Sequence, residues 1–591
     1  IYTLSLHDAL PICTADDGTT TDNYASSTQY VDETLGGPAA FTNAAGAIVE
    51  GSTTVTGATD ATVASDGHLI GNVSVTAAGT RMEYENIYTY SSVTPPAATG
   101  PVTVDTTNTT ITSSTATGGV ASGTYAGSVG AVQFINANGV AANVSQSGQS
   151  GSTADISGVI IGSFSGTAGA STTLFRSGAS NSESSNVETY HSVFDGTDTT
   201  VDYTRSYESS SEQIAADSSA TVTGRVTNDA SGATGNVMLS SSGGEASLLV
   251  DGGIIEGDTS LTAGGSNSTF AIELEQSFLN DVEQSETYST LSTTTAVPGM
   301  ASATLIGATL GDVEDETGGN LTLNGSGGAM ASIDGDSEVV GNVSLSAFAS
   351  NSESTFDRTA TRVDDDTVDR TEVRSSSTTR VGGDTLAEVD GVVHGTVMAD
   401  SGAGNATVNL TGQALQGVYA YTGATDSTYN STTVYSNNSF TGGSYDTTES
   451  TSTGMDVGGA ATINIASNVD LAGNNLSAVE TGEIIASGRA GSFVTIGEGT
   501  RVLTGNQEMN VPPGGYIGVG GFYDNSVSTF FADNSGIGSS TSTYTSTEVD
   551  GPSVFLNNGI VGAPTESLDF YDGSVYVEVF EIGRASCRER V

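Results

Sequence analysis

The sequence predicts an all-β protein, folded as a parallel β-solenoid (β-helix) from which β-hairpins protrude. Short patches of Val, Ile and Leu recur along the chain, alternate with small polar residues and are bounded by Gly, Asn or Asp. Such alternation between turn residues is typical of strands, whereas continuous helical periodicity is hard to find. Anchor residues also recur at a regular spacing, which indicates a stack of similar units.

The composition indicates a folded chain with a strong negative charge. Its 591 residues include 68 acidic and 14 basic side chains, all of the latter Arg, for a formal net charge of -54. Hydrophobic residues make up 36% and charged residues only 14%, whereas a disordered polyelectrolyte normally shows the opposite balance. We therefore expect no nucleic-acid partner and no attraction to anionic lipid. The sequence has no run of 18 apolar residues, so we also expect no direct membrane insertion.

Three stretches resemble translated sequencing adapter and are excluded from the fold. They are residues 3–12 ("TLSLHDALPI"), 172–177 ("TTLFRS") and 581–591 ("EIGRASCRERV"). We expect the reading frame to be truncated at both ends. Cys587 lies in the last stretch and Cys13 directly follows the first, so we expect neither a disulfide framework nor a thiolate metal site.

Three series of anchors define a unit of about 85 residues. The first series has spacings of 94, 83 and 88 and consists of Gly130, Gly224, Gly307 and Gly395. The second has spacings of 93, 84 and 85 and consists of Asn143, Asn236, Asn320 and Asn405. The third consists of Gly71, Gly162, Gly257 and Gly341.

One unit is nine residues too long, and the surplus can be located. From Gly162 to Asn181 there are 19 residues, whereas the matching steps from Gly257 and Gly341 to an Asn take 10. A repeated "GAS" at 169–171 and 178–180 brackets the surplus. The stretch is predicted to form a bulge or disordered loop where a coil leaves for its hairpin, which removes Arg176 from the functional candidates.

Each unit has a Gly-rich part of about 45 residues and a polar excursion of about 35 to 45 residues. In the excursion at 356–374, a turn at Asp365 and Asp366 predicts a hairpin with one apolar and two opposite-charge cross-strand pairs. These pairs are Val363 with Val368, Arg362 with Asp369, and Asp357 with Arg374.

Tandem β-sandwich modules are the alternative architecture, but a sandwich needs a bulkier core than single Val, Ile and Leu residues among small ones. We divide the chain into adapter-like residues 1–13, an N-terminal leader at 14–50, the repetitive solenoid with hairpins at 51–454, a divergent C-terminal β region at 455–580, and adapter-like residues 581–591.

The "GNVSL" style of turn and strand, together with the Lys-free acidic composition, resembles the passenger or stalk regions of bacterial β-solenoid surface adhesins. The resemblance is one of style and covers roughly residues 50–480. It implies an extracellular or cell-surface location, and no functional residue is carried over from it.

No catalytic constellation stands out, and we expect no enzyme. Sugar-cleaving solenoids need clustered acids and bases, but there is no Lys, and five Arg crowd between 358 and 380. His68, His191 and His394 share no ligand-like spacing, and each is expected to be a surface or turn histidine.

Calcium is the one candidate cofactor. Acidic turns at 195–202, 334–338 and 363–369 offer oxygen ligands that hard cations favour, although Asp and Gly are also ordinary turn residues. The candidate ligands are Asp195, Asp198, Asp364, Asp365 and Asp366.

These patterns predict a noncatalytic extracellular structural or adhesive stalk, whose solenoid is a scaffold and whose hairpins contact surface glycans or other cell-surface molecules. The alternatives are a viral tail-fibre or spike protein that binds a receptor and, third, a polysaccharide-active enzyme. Tyrosines in the excursions could form recognition tips or could simply pack across hairpin strands: Tyr190, Tyr203, Tyr207, Tyr429, Tyr435 and Tyr445.

Overall fold

The computed structural model describes residues 22–34, 37–94, 102–130, 142–169, 171–173, 180–194, 199–227, 235–279, 284–364, 367–439, 443–466, 477–479, 483–503, 516–520, 553–558, 560–562 and 576–580. The secondary structure of these residues consists of strands, without a helix, and the all-β prediction is confirmed.

The strands follow one another in a repeating order. The N-terminal ones are β1 (Asp22–Thr34), β2 (Ala39–Asn43), β3 (Ile48–Glu50), β4 (Thr53–Gly57), β5 (Ala61–Ser65), β6 (His68–Ile70), β7 (Val73–Ala77), β8 (Thr80–Thr94), β9 (Val102–Thr117), β10 (Val120–Tyr125), β11 (Ser128–Val129), β12 (Val144–Gly148), β13 (Gly151–Ile156), β14 (Val159–Ile161), β15 (Phe164–Ala168), β16 (Ser171–Thr173), β17 (Ser180–Phe194) and β18 (Thr199–Ile214). The central ones are β19 (Asp217–Val222), β20 (Arg225–Thr227), β21 (Val237–Ser241), β22 (Ala246–Asp251), β23 (Ile254–Ile255), β24 (Thr259–Ala263), β25 (Ser266–Leu279), β26 (Gln284–Val297), β27 (Met300–Ile306), β28 (Thr309–Leu310), β29 (Leu321–Gly325), β30 (Gly328–Ile333), β31 (Glu338–Val339), β32 (Val343–Ala347), β33 (Ala349–Asp364) and β34 (Thr367–Gly382). The C-terminal ones are β35 (Asp384–Val389), β36 (Val392–Val393), β37 (Thr396–Ser401), β38 (Ala406–Leu410), β39 (Gln413–Ala414), β40 (Gly417–Thr422), β41 (Ala424–Ser439), β42 (Gly443–Gly458), β43 (Ala460–Ile465), β44 (Glu483–Ser487), β45 (Gly491–Ile496), β46 (Arg501–Leu503), β47 (Tyr516–Gly520), β48 (Ser553–Asn557), β49 (Ile560–Gly562) and β50 (Tyr576–Phe580).

Three long parallel sheets form the body. The first sheet runs β2-β5-β10-β13-β19-β22-β27-β30-β35-β38-β43-β45-β48, the second runs β3-β6-β11-β14-β20-β23-β28-β31-β36-β39, and the third runs β4-β7-β12-β15-β21-β24-β29-β32-β37-β40-β44-β47-β50. The chain visits the three sheets in turn, and we call each such visit a coil, with β2–β4 as coil 1. Because sandwich modules are built from antiparallel sheets, these parallel sheets fit the β-solenoid and not the alternative.

Alternation within each strand fills the interior with small aliphatic side chains. The second residue of each short strand in the second sheet points inward and stacks on its counterpart one coil away. Nine of these second residues are buried: Leu69, Val129, Ile160, Val226, Ile255, Leu310, Val339, Val393 and Ala414. The outward positions of the first and third sheets are mostly Ser and Thr, which leaves the outer surface polar.

Coil 3 also places a tyrosine in this interior. Tyr125 is 1% exposed, and its hydroxyl donates to the Gln146 amide oxygen at 2.9 Å, which also accepts from the Gly123 N–H at 3.1 Å. The Gln146 amide nitrogen donates to the Thr153 carbonyl at 3.0 Å. Burial raises the pKa of Tyr125 to about 12.

A ladder of polar side chains joins successive coils at the corner before the third sheet. Each side-chain oxygen accepts the backbone N–H of the corresponding residue in the next coil, at 2.8 to 3.3 Å. The ladder runs through Asn72, Asn143, Ser163, Asn236, Asp258, Asn320 and Asn342, and ends on the N–H of Thr396. It satisfies backbone donors at a corner where the strand ladders are interrupted.

The ladder tests the three anchor series. In the third series each glycine directly precedes a ladder residue in an even-numbered coil. The four glycines therefore occupy equivalent positions in the structure: Gly71, Gly162, Gly257 and Gly341. The second series is right for Asn143, Asn236 and Asn320. It is wrong for Asn405, which lies before β38 at another corner, where its side chain accepts the Ala460 N–H at 3.0 Å.

The first series of anchors is wrong. Gly224 and Gly307 precede the second-sheet strand of their coils, whereas Gly130 and Gly395 follow it. Even Gly224 and Gly307 are not equivalent. Arg225 and Thr309 both align with Ile254, so Gly224 lies one residue before this aligned position and Gly307 lies two residues before it. Gly suits every corner of a coil, so spacing alone could not distinguish one corner from another.

The hairpins form a fourth sheet, which we call the fin. Its antiparallel order is β1-β8-β9-β17-β18-β25-β26-β33-β34-β41-β42, with β16 paired to β18 off this path. The predicted register of one hairpin is confirmed in full, since β33 and β34 pair Val363 with Val368, Arg362 with Asp369 and Asp357 with Arg374. The prediction of separate protruding hairpins is refined, because neighbouring hairpins pair edge to edge.

The spacing of strands explains why a hairpin leaves after every second coil. Two coils add two strands to each parallel sheet, and one hairpin adds two strands to the fin. Because neighbouring strands lie about 4.8 Å apart in either kind of sheet, the body and the fin advance by the same distance. Both can therefore remain continuous over ten coils.

The surplus residues lie at the junction between coil 4 and its hairpin. Eleven residues separate the end of β15 at Ala168 from the start of β17 at Ser180, whereas two separate β7 from β8 and two separate β24 from β25. The excess of nine matches the surplus counted in the sequence. Residues 174–179, including Arg176, lie outside the described residues, so their foreign origin stays a prediction.

Candidate functional site

The strongest candidate site is a shallow depression on one face of the fin. It has a volume of about 430 Å³ and spans four neighbouring strands, β26, β33, β34 and β41. Its lining is mostly small and polar: Thr290, Thr355, Phe356, Asp357, Arg374, Ser375, Ser376, Asn430 and Thr432.

Strand register assembles this site from three separate hairpins. One row across the fin contains Thr290, Asp357, Arg374 and Thr432, and the adjacent row on the same face contains Thr355, Ser376 and Asn430. Each strand contributes alternate residues to this face, because side chains two apart in a strand point the same way.

An ion pair lies at the centre of the depression. Arg374 Nε is 3.3 Å from Asp357 Oδ2, and the two side chains are 68% and 43% exposed. Such an exposed pair contributes at most about 1 kcal/mol to stability, because water screens it. Both groups therefore remain accessible, the guanidinium as a donor and the carboxylate as an acceptor, among hydroxyl and amide groups that can do either.

A tyrosine extends the polar face beside the depression. Tyr288 lies one row away on β26, between Glu275 and Thr359, and is 40% exposed. Its pKa is raised by burial and then by the charges of Glu273, Asp357 and Glu275, with a hydrogen bond to Glu273 acting in the same direction. This part of the fin combines an aromatic ring with carboxylates and one guanidinium.

The depression offers many hydrogen-bonding groups but a single carboxyl group among its lining residues. Glycoside hydrolysis uses two facing carboxyl groups, and the depression contains one. On an open surface, where water competes, such donors and acceptors make individually weak contacts with a ligand.

The fin holds all six tyrosines that the sequence singled out. Tyr190 lies in β17, Tyr203 and Tyr207 in β18, Tyr429 and Tyr435 in β41, and Tyr445 in β42. Tyr190 and Tyr203 are direct cross-strand partners, as packing across a hairpin requires. Tyr429 is 45% exposed, which leaves its ring available for contacts.

Four of the five calcium candidates lie outside the described residues, and one ends a fin strand. Asp195, Asp198, Asp365 and Asp366 lie outside the described residues, and Asp364 ends β33 with its backbone paired to Thr367. Within the described ranges no three His, Cys, Asp or Glu side chains converge as a metal site.

The third acidic turn, at 334–338, forms a corner of coil 8. The Asp334 carboxylate accepts the Ser337 hydroxyl at 2.6 Å and the Gly307 N–H at 2.9 Å. Burial would raise the pKa of Asp334, but these hydrogen bonds and those from the Asp336 and Ser337 backbone outweigh it and lower the pKa.

The histidines are distributed along the molecule. His68 in coil 2 lies 2.6 Å from the Ser128 hydroxyl, and His394 in coil 9 has Nε2 2.7 Å from Glu338 Oε1. His191 lies in β17 of the fin. The partners of His68 and His394 differ, since one is a hydroxyl and the other a carboxylate.

A comparison with protein-family models, curated proteins and solved structures finds no match for this chain. In the described part of the chain, no helix has the length and apolar character needed to cross a membrane.

Proposed function

We propose that the protein is a noncatalytic extracellular stalk, in which a solenoid scaffold carries a fin that contacts glycans or other molecules on a surface. Its repeating unit is two coils and one hairpin, about 85 residues long. Calcium at the acidic hairpin turns stays part of this hypothesis.

The single observation that supports this function best is the exposure of the fin. Among the described side chains of β25, β26, β33 and β34, only Ser266 is buried. A sheet with both faces in water buries little apolar surface, so its stability comes mainly from cross-strand pairs and from its attachment to the body. Long strands that serve no core are best explained by the surface they present.

The charge of the chain limits what that surface meets. A net charge of -54 repels nucleic acids and anionic membranes and keeps a long protein soluble. Neutral or cationic partners at a cell surface or in its surroundings fit this balance.

Binding to an array of neutral, amino and acidic oligosaccharides, together with binding to whole cells, tests the contact function. We expect Arg374→Ala to weaken binding several-fold, because it removes the donor at the centre of the depression. Arg370→Ala is the matched control, since Arg370 is an exposed arginine of the same strand outside the depression, 53% exposed and paired with Glu372. Equal losses in the two variants would contradict a specific fin site.

Two further measurements test the rest of the proposal. Electron microscopy should show a rod whose first sheet of 13 strands spans about 60 Å at a strand spacing of about 4.8 Å. Release of new reducing ends from any polysaccharide by the purified protein would overturn the noncatalytic assignment.

A further inference from the structure

An aromatic strip lies on the outer face of the third sheet, away from the fin depression. It consists of Tyr419 and Tyr421 in β40, whose ring centroids are 6.1 Å apart with an interplanar angle of 18°. The sequence "GVYAY" from Gly417 to Tyr421 puts both tyrosines on the outward side, and the alternate residues Val418 and Ala420 are buried on the inward side.

Gly417 shows that the first ring lies down on the sheet. A Cβ at Gly417 would point outward and lie 3.2 Å from Tyr419 Cε2, so the ring covers the position that a side chain would occupy. The second ring is nearly parallel to the first and stacks with it, so the two form one aromatic unit along the strand. A stacked pair leaves ring faces and edges that are not shared within the pair for contact with a ligand.

Strand register surrounds the strip with two kinds of side chain. Met398 and Ile485 lie on either side of Tyr419 in the neighbouring coils and widen the apolar surface. Asp400 lies beside Tyr421, and Glu483 lies beside Gly417, so carboxylates border the strip on both sides.

The strip lies on a face whose equivalent positions are polar in coils 7 and 8. The positions equivalent to Tyr419 and Tyr421 are Ser344 and Ser346 in β32, and Thr322 and Asn324 in β29. Packing with other coils does not require the change, since these positions point to solvent. The two large rings are therefore a local feature of coil 10, where coils 7 and 8 have small polar residues and coil 9 has Met398 and Asp400.

The electrostatics of the strip favour a cation. Burial raises the pKa of Asp400, and burial together with the charge of Glu483 raises the pKa of Tyr419. Burial and the charges of Tyr419, Glu483 and Asp400 raise the pKa of Tyr421. A partly desolvated carboxylate gains from a cationic partner, and the faces of tyrosine rings attract cations as well.

We propose that the strip of Tyr419 and Tyr421, bordered by Asp400 and Glu483, binds a chain of amino sugars. The C–H face of a pyranose ring packs on the tyrosine rings, and its ammonium group meets a flanking carboxylate. An acidic sugar would be repelled, and a neutral one would gain only the ring contact. This site goes beyond the proposed fin contacts, because it lies on the body and uses other residues.

Calorimetric titration with three tetrasaccharide probes tests the site: β-linked glucosamine, its N-acetylated counterpart and a galacturonic acid tetramer, in slightly acidic buffer. We expect the glucosamine tetramer to bind about tenfold more tightly than the acetylated one, and the acidic tetramer not to bind. The combined Tyr419→Ala and Tyr421→Ala variant should lose about tenfold or more in affinity for glucosamine, whereas the corresponding Phe variant should retain it.

Two controls separate specific binding from general attraction to an acidic protein. The Ala variant keeps every carboxylate, so nonspecific attraction would leave its affinity unchanged and would overturn the proposal. Asp400→Asn with Glu483→Gln should abolish the preference for glucosamine over its acetylated form. Equal wild-type affinity for the two tetramers, or none for either, would also overturn it.

Failure of this site is distinguishable from failure of the fin contact. Arg374→Ala is titrated in the same way and should bind glucosamine like the wild type. If Arg374→Ala loses array binding while the strip variants change nothing, the fin proposal stands and the strip proposal is wrong. Thermal melting of each variant checks the fold, which outward-facing substitutions should preserve.

Discussion

Replacement of Asn320 by Ala should loosen one corner of the solenoid without unfolding it. The Asn320 Oδ1 atom accepts the Asn342 N–H at 2.9 Å and the Asn342 Nδ2 at 3.3 Å, and Asn320 Nδ2 donates to Asp258 Oδ1 at 2.9 Å. The substitution removes all three hydrogen bonds.

The expected loss follows from the exposure of this corner. A hydrogen bond between groups removed from water contributes a net of about 0.5 to 1.5 kcal/mol. These corner groups are exposed, so each of the three bonds contributes less, and we expect a total loss of about 1 to 2 kcal/mol in the free energy of unfolding. In a solenoid each coil contacts only its neighbours, and the loss should be confined to coils 6 to 8.

Amide hydrogen exchange measures this directly. Exchange of the Asn342 amide should accelerate about 5- to 30-fold, since about 1.4 kcal/mol corresponds to a factor of ten. Asn324→Ala is the matched control, because Asn324 is an outward-facing asparagine of the next strand and lies outside the ladder. Unchanged exchange at Asn342, or equal acceleration in both variants, would refute the ladder as a stabilising element.

Three further substitutions probe the interior, a tight corner and the pH dependence. Tyr125→Phe should lower the free energy of unfolding in urea by about 1 kcal/mol, because the Gln146 oxygen loses a buried donor. It should also remove the tyrosine ionisation near pH 12 from a spectrophotometric titration. An unaltered titration curve would show that another tyrosine accounts for that step. Gly162→Ala should destabilise the folded protein by about 1 to 3 kcal/mol, because φ at Gly162 is 129° and the new Cβ would lie 2.7 Å from the Ala142 carbonyl oxygen. Gly37 has open space around it, so Gly37→Ala should leave the free energy of unfolding unchanged in the same assay. Asp334 has a lowered pKa in the folded state, so the stabilisation that its carboxylate provides is present above the ordinary pKa of 3.8 and is lost as the pH falls through the lower folded pKa. Asp334→Asn should therefore lose stability at neutral pH, and its melting temperature should depend less on pH below pH 4. Parallel melting curves for variant and wild type would contradict this.

The sequence by itself determined what depends on near neighbours in the chain. Alternation of apolar and polar residues specifies strands, and the acidic turn at 365–366 specifies the hairpin register of β33 and β34, down to the pair of Asp357 with Arg374. The Gly-Asn corners also carried a true signal, since Gly257 and Gly341 occupy equivalent positions. In each case a short segment has only one way to bury its apolar side or close its turn.

Contacts between distant segments were decided by the tertiary structure alone. The series beginning at Gly130 failed because all corners of a coil favour glycine, and only stacking shows which corners align. Edge-to-edge pairing of hairpins into a fin could not be read from any single hairpin. The fin depression needs residues from three hairpins, and the aromatic strip needs Met398 and Ile485, which lie 21 residues before and 66 residues after Tyr419. Such surfaces arise from the register between coils, which stacking of the whole core sets and local sequence does not.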